Sequence, residues 1–224
     1  MIVYDVVQGT AEWASLRSGI PTASCFDLIL TSKTRKPSTQ QSGYLARLVT
    51  EWLTGHPMDE VDSAFMERGK DMEPEAVRRY QFDQDVTAEV VGFVTTDDCK
   101  AGCSPDRLVG ADGLLEVKCP GMVGHVGYLL EPERLKDAYW SQVQGQLWVT
   151  GRRWVDLWSY SPALPPVRVR IEPEPEYLAA LATHVAAFVA RLDAAKALLL
   201  PYRIERARTN PTPERSADDP VFMD

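Results

Sequence analysis

Hydrophobic positions recur at helical spacing toward both ends of the chain, whereas the middle of the chain alternates hydrophobic and polar residues. Tyr44, Leu48 and Trp52 fall on one side of a helix that Gly55 would end, and Thr10 is a typical helix N-cap. Helices are predicted over residues 11–18, 22–30, 44–53, 63–80, 124–130, 137–149 and 176–200. Pro74 is expected to kink or split the fourth of these.

The alternating middle region predicts β-strands. They are expected over residues 90–94, 101–103, 114–118, 154–160 and 167–171. A turn over residues 110–113 would join two of them as a hairpin. This order of elements predicts an α/β fold in which a central mixed sheet is flanked by helices.

Composition favours one domain. With 224 residues and 45% hydrophobic positions, the chain can bury one substantial core. We therefore expect a single domain over residues 1–200. Residues 201–224 are polar and rich in proline, and predict a tail that is flexible or ordered by a partner.

Compartment signals favour the cytoplasm. We find no apolar run near the roughly 20 residues of a membrane span and no basic signal-peptide start, so no membrane association is expected. The four cysteines lack the spacing of a disulfide framework or of a zinc or iron-sulfur site. They are expected to be free thiols. The chain also lacks a phosphate-cradling, ATP-binding motif.

The net charge of the chain bears on whether it binds nucleic acid. The formal net charge is −8, whereas phosphate binding normally needs basic residues. Basic side chains nevertheless cluster at Lys33–Lys36 and between residues 68 and 79. An acidic exterior around a basic channel fits both observations.

The candidate chemistry lies in the middle region, where Ser104-Pro105-Asp106 precedes Glu116-Val117-Lys118. On a strand Glu116 and Lys118 share one face, and the predicted hairpin brings Asp106 beside them. Carboxylates suit Mg²⁺ or Mn²⁺, and an ammonium could orient a water or balance charge on a phosphate. The alternative is a turn aspartate followed by a solvated hairpin face.

The pattern resembles the phage lambda exonuclease family, the YqaJ-type viral recombinases or alkaline exonucleases. These belong to the restriction-endonuclease-like PD-(D/E)XK nuclease superfamily. The resemblance spans roughly residues 9 to 190 in five ordered segments. The matching segments are Glu12–Ser24, Arg68–Glu73, Cys103–Asp106, Leu115–Pro120 and Tyr139–Gln144.

The resemblance implies a restriction-endonuclease-like core and a Mg²⁺-dependent, ATP-independent exonuclease. Such an enzyme digests one strand of linear duplex DNA from the 5′ end and leaves a 3′ single-stranded tail for recombination by strand annealing. Two Mg²⁺ ions, replaceable by Mn²⁺, would be held by Asp106, Glu116 and the Val117 carbonyl. Lys118 would assist the attacking water, and Glu73 would support a metal-bound water or the second ion.

The resemblance also implies a site for the terminal 5′-phosphate and DNA. The matching residues are Arg17, Ser24, Ser104, His125, Tyr139, Gln142 and Gln144. His125 stands where the family has a phosphate-binding arginine, and it is equally well interpreted as a packed helix residue. Alternatively, Arg17 is a surface charge, Ser24 caps a helix and Tyr139 packs in the core.

By the same resemblance the chain would form a homotrimeric ring around DNA and work with a single-strand annealing recombinase. Two other functions stay open. One is a structure-specific or sequence-specific endonuclease on the same fold. The other is a DNA-end binding module that does not cut.

Overall fold

The computed structural model describes residues 1–58 and 64–204. The helices are α1 (Ala11–Arg17), α2 (Gln41–Thr54), α3 (Ala64–Gln84), α4 (Met122–Leu130), α5 (Pro132–Thr150) and α6 (Pro175–Leu199). Short 3-10 helices span Ala23–Leu28 and Leu200–Tyr202. The strands are β1 (Ile2–Tyr4), β2 (Ala88–Val90), β3 (Phe93–Thr95), β4 (Gly102–Cys103), β5 (Arg107–Val109), β6 (Gly113–Lys118), β7 (Trp154–Ser159) and β8 (Val167–Ile171).

Two sheets form from these strands. The larger is mixed, in the order β2-β5-β6-β7-β8, with only the β6 and β7 pair parallel. A parallel pair needs a crossover, and α4 and α5 supply it. The smaller sheet, β1-β3-β4, is antiparallel. The predicted α/β fold with a central mixed sheet is therefore confirmed.

The predicted single strand over residues 90–94 is wrong, because the chain changes sheets there. It leaves the larger sheet after Val90 and enters the smaller one at Phe93. Between them Gly92 passes so close to the N-terminal segment that a Cβ atom would lie 2.2 Å from the Val6 carbonyl oxygen. Only glycine permits this approach, which places the two sheets side by side.

Helices cover both faces of the larger sheet. On one face, Leu135, Val143 and Leu147 of α5 pack against Leu114 and Leu157. The opposite face carries a second apolar cluster from α3 and the sheet, comprising Ala76, Val77, Tyr80, Val109, Leu115, Val117, Trp158 and Tyr160. Alternation along β6 therefore sends Leu114 toward α5 and Leu115 toward α3.

Most predicted helices form, with changes at their ends. The segment predicted to be a helix over 22–30 is a 3-10 helix, and α5 begins five residues before its predicted start. Pro74 lies inside α3 without ending it. The predicted helix start at Ser63, and the predicted tail beyond residue 204, lie outside the described residues.

Helix α6 is long and apolar enough to cross a membrane by length and composition alone, which the sequence analysis did not anticipate. Its buried residues are Tyr177, Leu181, Val185, Phe188 and Leu192. They recur every three to four residues and pack in the core, where Phe188 stacks on Tyr44 of α2. One buried face of this kind is typical of a core helix.

Candidate active site

Asp106 extends the β5 and β6 hairpin by means of its side chain. The backbone pairing of the two strands runs from Val109 opposite Gly113 to Arg107 opposite Leu115. One residue before β5, Asp106 Oδ2 accepts a hydrogen bond of 2.6 Å from the Val117 backbone N–H. A carboxylate thus satisfies a strand amide, and this bond holds Asp106 beside the end of β6.

Glu116 is the most buried of the candidate ligands, with 3% of its surface exposed. Its Oε1 atom accepts hydrogen bonds from Lys118 Nζ at 2.7 Å and from Gln142 Nε2 at 2.5 Å. Its Oε2 atom accepts one from Gln146 Nε2 at 2.6 Å. Gln142 and Gln146 are four residues apart, so they lie on one side of α5. The carboxylate is fixed from the strand and from the helix.

Lys118 lies on the same face as Glu116, as the strand alternation predicted. Besides Glu116, its Nζ contacts Gln142 Oε1 at 3.3 Å and lies 4.4 Å from the centre of the Tyr139 ring. Burial would lower the pKa of Lys118, but Glu116 and Asp106 raise it to about 12. In this arrangement the side chain is an ammonium that donates hydrogen bonds.

The two carboxylates have more negative charge than their surroundings balance. Burial, followed by the charge of Glu116, raises the pKa of Asp106 well above its ordinary range, although Lys118 opposes this. A divalent cation would relieve this repulsion. Within the described residues, no group of three or more His, Cys, Asp or Glu side chains is arranged to hold a metal ion. Mg²⁺ commonly needs only one or two carboxylates, with water and phosphate completing its shell, so this pair fits it.

Glu73 lies at the margin of this cluster. Its Oε1 accepts a hydrogen bond of 2.8 Å from Arg107 Nη1, and the same nitrogen donates to the Asp106 carbonyl oxygen. Glu73 also contributes to the raised pKa of Asp106 through its charge. Arg107 therefore connects Glu73 to the backbone of Asp106.

A cleft of about 650 Å³ adjoins the cluster, and its lining includes Arg17, Glu73 and Arg107. The Arg17 guanidinium lies 3.9 Å from the centre of the Trp13 ring, and Trp13 Nε1 donates a 2.9 Å hydrogen bond to Ser104 Oγ. Arg17 and Ser104 are therefore brought together through Trp13. A cation beside an indole ring and a hydroxyl can receive a phosphate group.

Ser24 is exposed at the first turn of a 3-10 helix, and its Oγ lies 3.3 Å from Thr22 Oγ1. Thr22 lines the cleft, so Ser24 is next to it. Tyr139 contacts the apolar cluster beneath α5 and also faces Lys118. Tyr139 therefore packs in the core and also lies beside a side chain of the cluster.

The structure removes two candidates from the site. His125 is fully buried, with Nδ1 2.8 Å from Ser159 Oγ and Nε2 2.9 Å from the Pro165 carbonyl oxygen. Both ring nitrogens are used within the fold, so His125 is the packed helix residue of the alternative interpretation. Gln144 is also fully buried, and its amide bonds the backbone of Glu172 and Glu174.

Gln146 and Arg107 were not among the residues predicted for the site. The predicted glutamines, Gln142 and Gln144, are two residues apart and therefore point to different sides of a helix. The signal that could have identified Gln146 is its spacing of four from Gln142. Arg107 follows Asp106 directly and alternates to its other side, so no local pattern pointed to its contact with α3.

Comparisons with known proteins identify the family of the chain and agree with its fold. The sequence matches the YqaJ-like viral recombinase domain over residues 12–153. The fold is similar to the crystal structure of an alkaline exonuclease, LHK-Exo, from Laribacter hongkongensis. The two chains are 33% identical, with a TM-score of 0.74, over 86% of this chain and 97% of that chain. LHK-Exo in complex with dAMP is 34% identical, with a TM-score of 0.76 and the same coverage.

A phage related exonuclease from Haemophilus somnus 129PT is similar in fold alone. It is 14% identical and has a TM-score of 0.63, over 80% of this chain and 96% of that chain. Among curated protein sequences, no significant match was found.

Proposed function

The chain belongs to the family of YqaJ-like viral recombinase domains, and we propose that it is a Mg²⁺-dependent, ATP-independent exonuclease. It digests one strand of linear duplex DNA from the 5′ end and leaves a 3′ single-stranded tail. The observation that carries the proposal is the partly buried cluster of Asp106, Glu116 and Lys118 at the end of β6. The likeness to an alkaline exonuclease supports the same class of reaction.

In the proposed mechanism, Asp106, Glu116 and the Val117 carbonyl would hold Mg²⁺, and Glu73 would support a second ion. Bound Mg²⁺ would supply charge neutralisation at the scissile phosphate and an activated water. Lys118 contributes a fixed positive charge, because its raised pKa keeps it protonated at neutral pH. It orients the attacking water and stabilises negative charge on the phosphate.

End selection is assigned to the cleft beside the cluster. Arg17 binds the terminal 5′-phosphate, assisted by the hydroxyls of Ser104 and Ser24, because a guanidinium presents paired donors to phosphate oxygens. Gln142 contacts Glu116 and Lys118, and Tyr139 faces Lys118, so both are assigned to the DNA strand where it passes the cluster. The dAMP complex of LHK-Exo supports nucleotide binding in a chain of this fold.

The proposed assembly is a homotrimeric ring that encloses DNA, with a single-strand annealing recombinase as partner in the cytoplasm. A ring would permit processive digestion without ATP. It would also reconcile the net charge of −8 with DNA binding, since only the inner surface has to be basic. The single domain of residues 1–200 and the tail of residues 201–224 remain part of this proposal.

The test uses linear duplex DNA labelled separately at each end, with and without a 5′-phosphate, in Mg²⁺ and in EDTA. We expect Mg²⁺-dependent release of mononucleotides from the 5′-phosphorylated strand. Lys118→Ala should abolish release, whereas Lys136→Ala should not, because Lys136 pairs with Glu133 within the first turn of α5. Internal fragments would instead indicate an endonuclease, and binding without cleavage would indicate an end-binding module.

A further inference from the structure

The two carboxylate oxygens of Glu116 accept different numbers of hydrogen bonds. A carboxylate offers about four lone pairs, two on each oxygen. Oε1 accepts hydrogen bonds from both Lys118 and Gln142, whereas Oε2 accepts one from Gln146 and none from any other described residue. Gln146 is 1% exposed, so its amide is held in a dry environment between the helix and the strand. One lone pair of Oε2 is therefore left for another ligand.

We propose that Gln146 is a positioning residue that presents the free lone pair of Glu116 Oε2 to the divalent cation. The inference rests on the proposed metal-dependent function and adds a residue to it. A single 2.6 Å hydrogen bond from a buried side chain fixes the rotation of the carboxylate. Partners of this kind, one bond behind a ligand, orient it and determine how well it binds metal.

An amide is suited to this position because it donates a hydrogen bond without neutralising the carboxylate. A lysine or arginine at position 146 would compete with the cation for the charge of Glu116. Lys118 already supplies an ammonium to this cluster, and its charge acts on both Glu116 and Asp106. Gln146 thus restrains Glu116 and leaves its negative charge for the metal.

Gln144 offers a matched control two residues away. It lies on the same helix, is equally buried, and also uses its amide, but it bonds the backbone of Glu172 and Glu174. Gln146→Met and Gln144→Met therefore delete the same chemical group at equal burial. Gln146 Oε1 makes no hydrogen bond within the described part of the chain, so Gln146→Met breaks only the bond to Glu116.

The experiment measures Mn²⁺ binding to the full chain by titration calorimetry without DNA, together with kcat, KM for DNA and the half-saturating Mg²⁺ concentration. We expect Gln146→Met to weaken Mn²⁺ binding and raise the half-saturating Mg²⁺ by about 10-fold to 100-fold, with KM for DNA unchanged at saturating Mg²⁺. Gln144→Met should lower the melting temperature and leave metal binding unchanged.

Equal metal binding by Gln146→Met and wild type would overturn the inference. A shift of the same size in Gln144→Met would also overturn it, since a general packing defect would then explain both. If Gln146→Met does not fold, the shorter Gln146→Asn, which withdraws the donor, is expected to shift metal binding in the same direction. A wild type with neither metal binding nor cleavage would instead refute the proposed function.

Discussion

Two buried carboxylates on neighbouring strands differ in how much positive charge surrounds them. Asp156 of β7 is fully buried and forms two 2.8 Å hydrogen bonds with Arg170 and one of 2.7 Å with the Tyr80 hydroxyl. Arg168 adds a second positive charge at 3.9 Å. Glu116 of β6 is held by two neutral amides and by one ammonium that it shares with Asp106.

The difference separates a carboxylate whose charge is balanced within the fold from the carboxylate that we propose as a metal ligand. Around Asp156 the positive charges exceed the negative ones, so no further cation is needed. Around Glu116 and Asp106 two carboxylates face one lysine, and burial together with the charge of Glu116 raises the pKa of Asp106. A buried excess of negative charge is unfavourable unless a cation binds, and it is a frequent sign of a functional site.

The largest expected effect tests Glu116. Glu116→Gln keeps the shape of the side chain and removes its charge, so we expect the fold to survive and nuclease activity to fall by about 10³-fold or more. The rate of mononucleotide release at saturating Mg²⁺ measures this. Asp156→Asn is the matched change and should retain activity within about threefold. Equal losses in the two variants would contradict the distinction.

Asp156→Asn should instead reduce stability. It removes charge-assisted hydrogen bonds, each of which contributes about 1.5–3 kcal/mol. We therefore expect the free energy of unfolding to fall by about 2–3 kcal/mol. Urea denaturation measures the change. Asp193→Asn serves as a control because its pair with Lys100 is exposed and should be worth about 0.5 kcal/mol.

Metal should stabilise the wild type through the Glu116 cluster alone. Mg²⁺ at about 100 times its dissociation constant would add about 2.7 kcal/mol to the free energy of unfolding. Asp156→Asn should show the same gain, whereas Glu116→Gln should show little. Thermal melting in Mg²⁺ and in EDTA tests this, and a gain that survives in Glu116→Gln would locate the metal elsewhere.

The smallest effect has the opposite sign. In EDTA, Asp106→Asn should be more stable than wild type by on the order of 1 kcal/mol, because it removes one of two facing charges and its carbonyl can still accept from Val117. The raised pKa of Asp106 means that the charged form is penalised in the folded state. The gain should therefore shrink as pH falls through that pKa and wild-type Asp106 takes up a proton.

Local patterns predicted the strand side of the site. Alternation in β6 placed Glu116 and Lys118 on one face, and the turn over residues 110–113 brought Asp106 beside them. The helix side depends on how α5 rotates against the sheet, which is set by packing of Leu135, Val143 and Leu147. No local rule gives that rotation, so the spacing of four that links Gln146 to Gln142 could be used only once Gln142 was known to face Glu116.

Contacts between residues far apart in the sequence could not be predicted from local patterns either. His125 is buried by Ser159 and Pro165, which follow it by 34 and 40 residues. The break between β2 and β3 depends on Gly92 meeting Val6 across the sheet boundary. In each case the deciding neighbour is distant in sequence, whereas periodicity reports only on residues a few positions apart.

Hydrogen-bonded residues of the site differ in their sequence separation. This separation affects the order in which parts of the site form during folding. The bonds that fix Asp106 and Glu116 close over 11, 26 and 30 residues. The Trp13 to Ser104 bond, which brings Arg17 to the cleft, closes over 91 residues. Shorter loops close at a smaller loss of chain entropy, and local contacts form faster. We therefore expect the residues assigned to cutting DNA to assemble before those assigned to selecting its end.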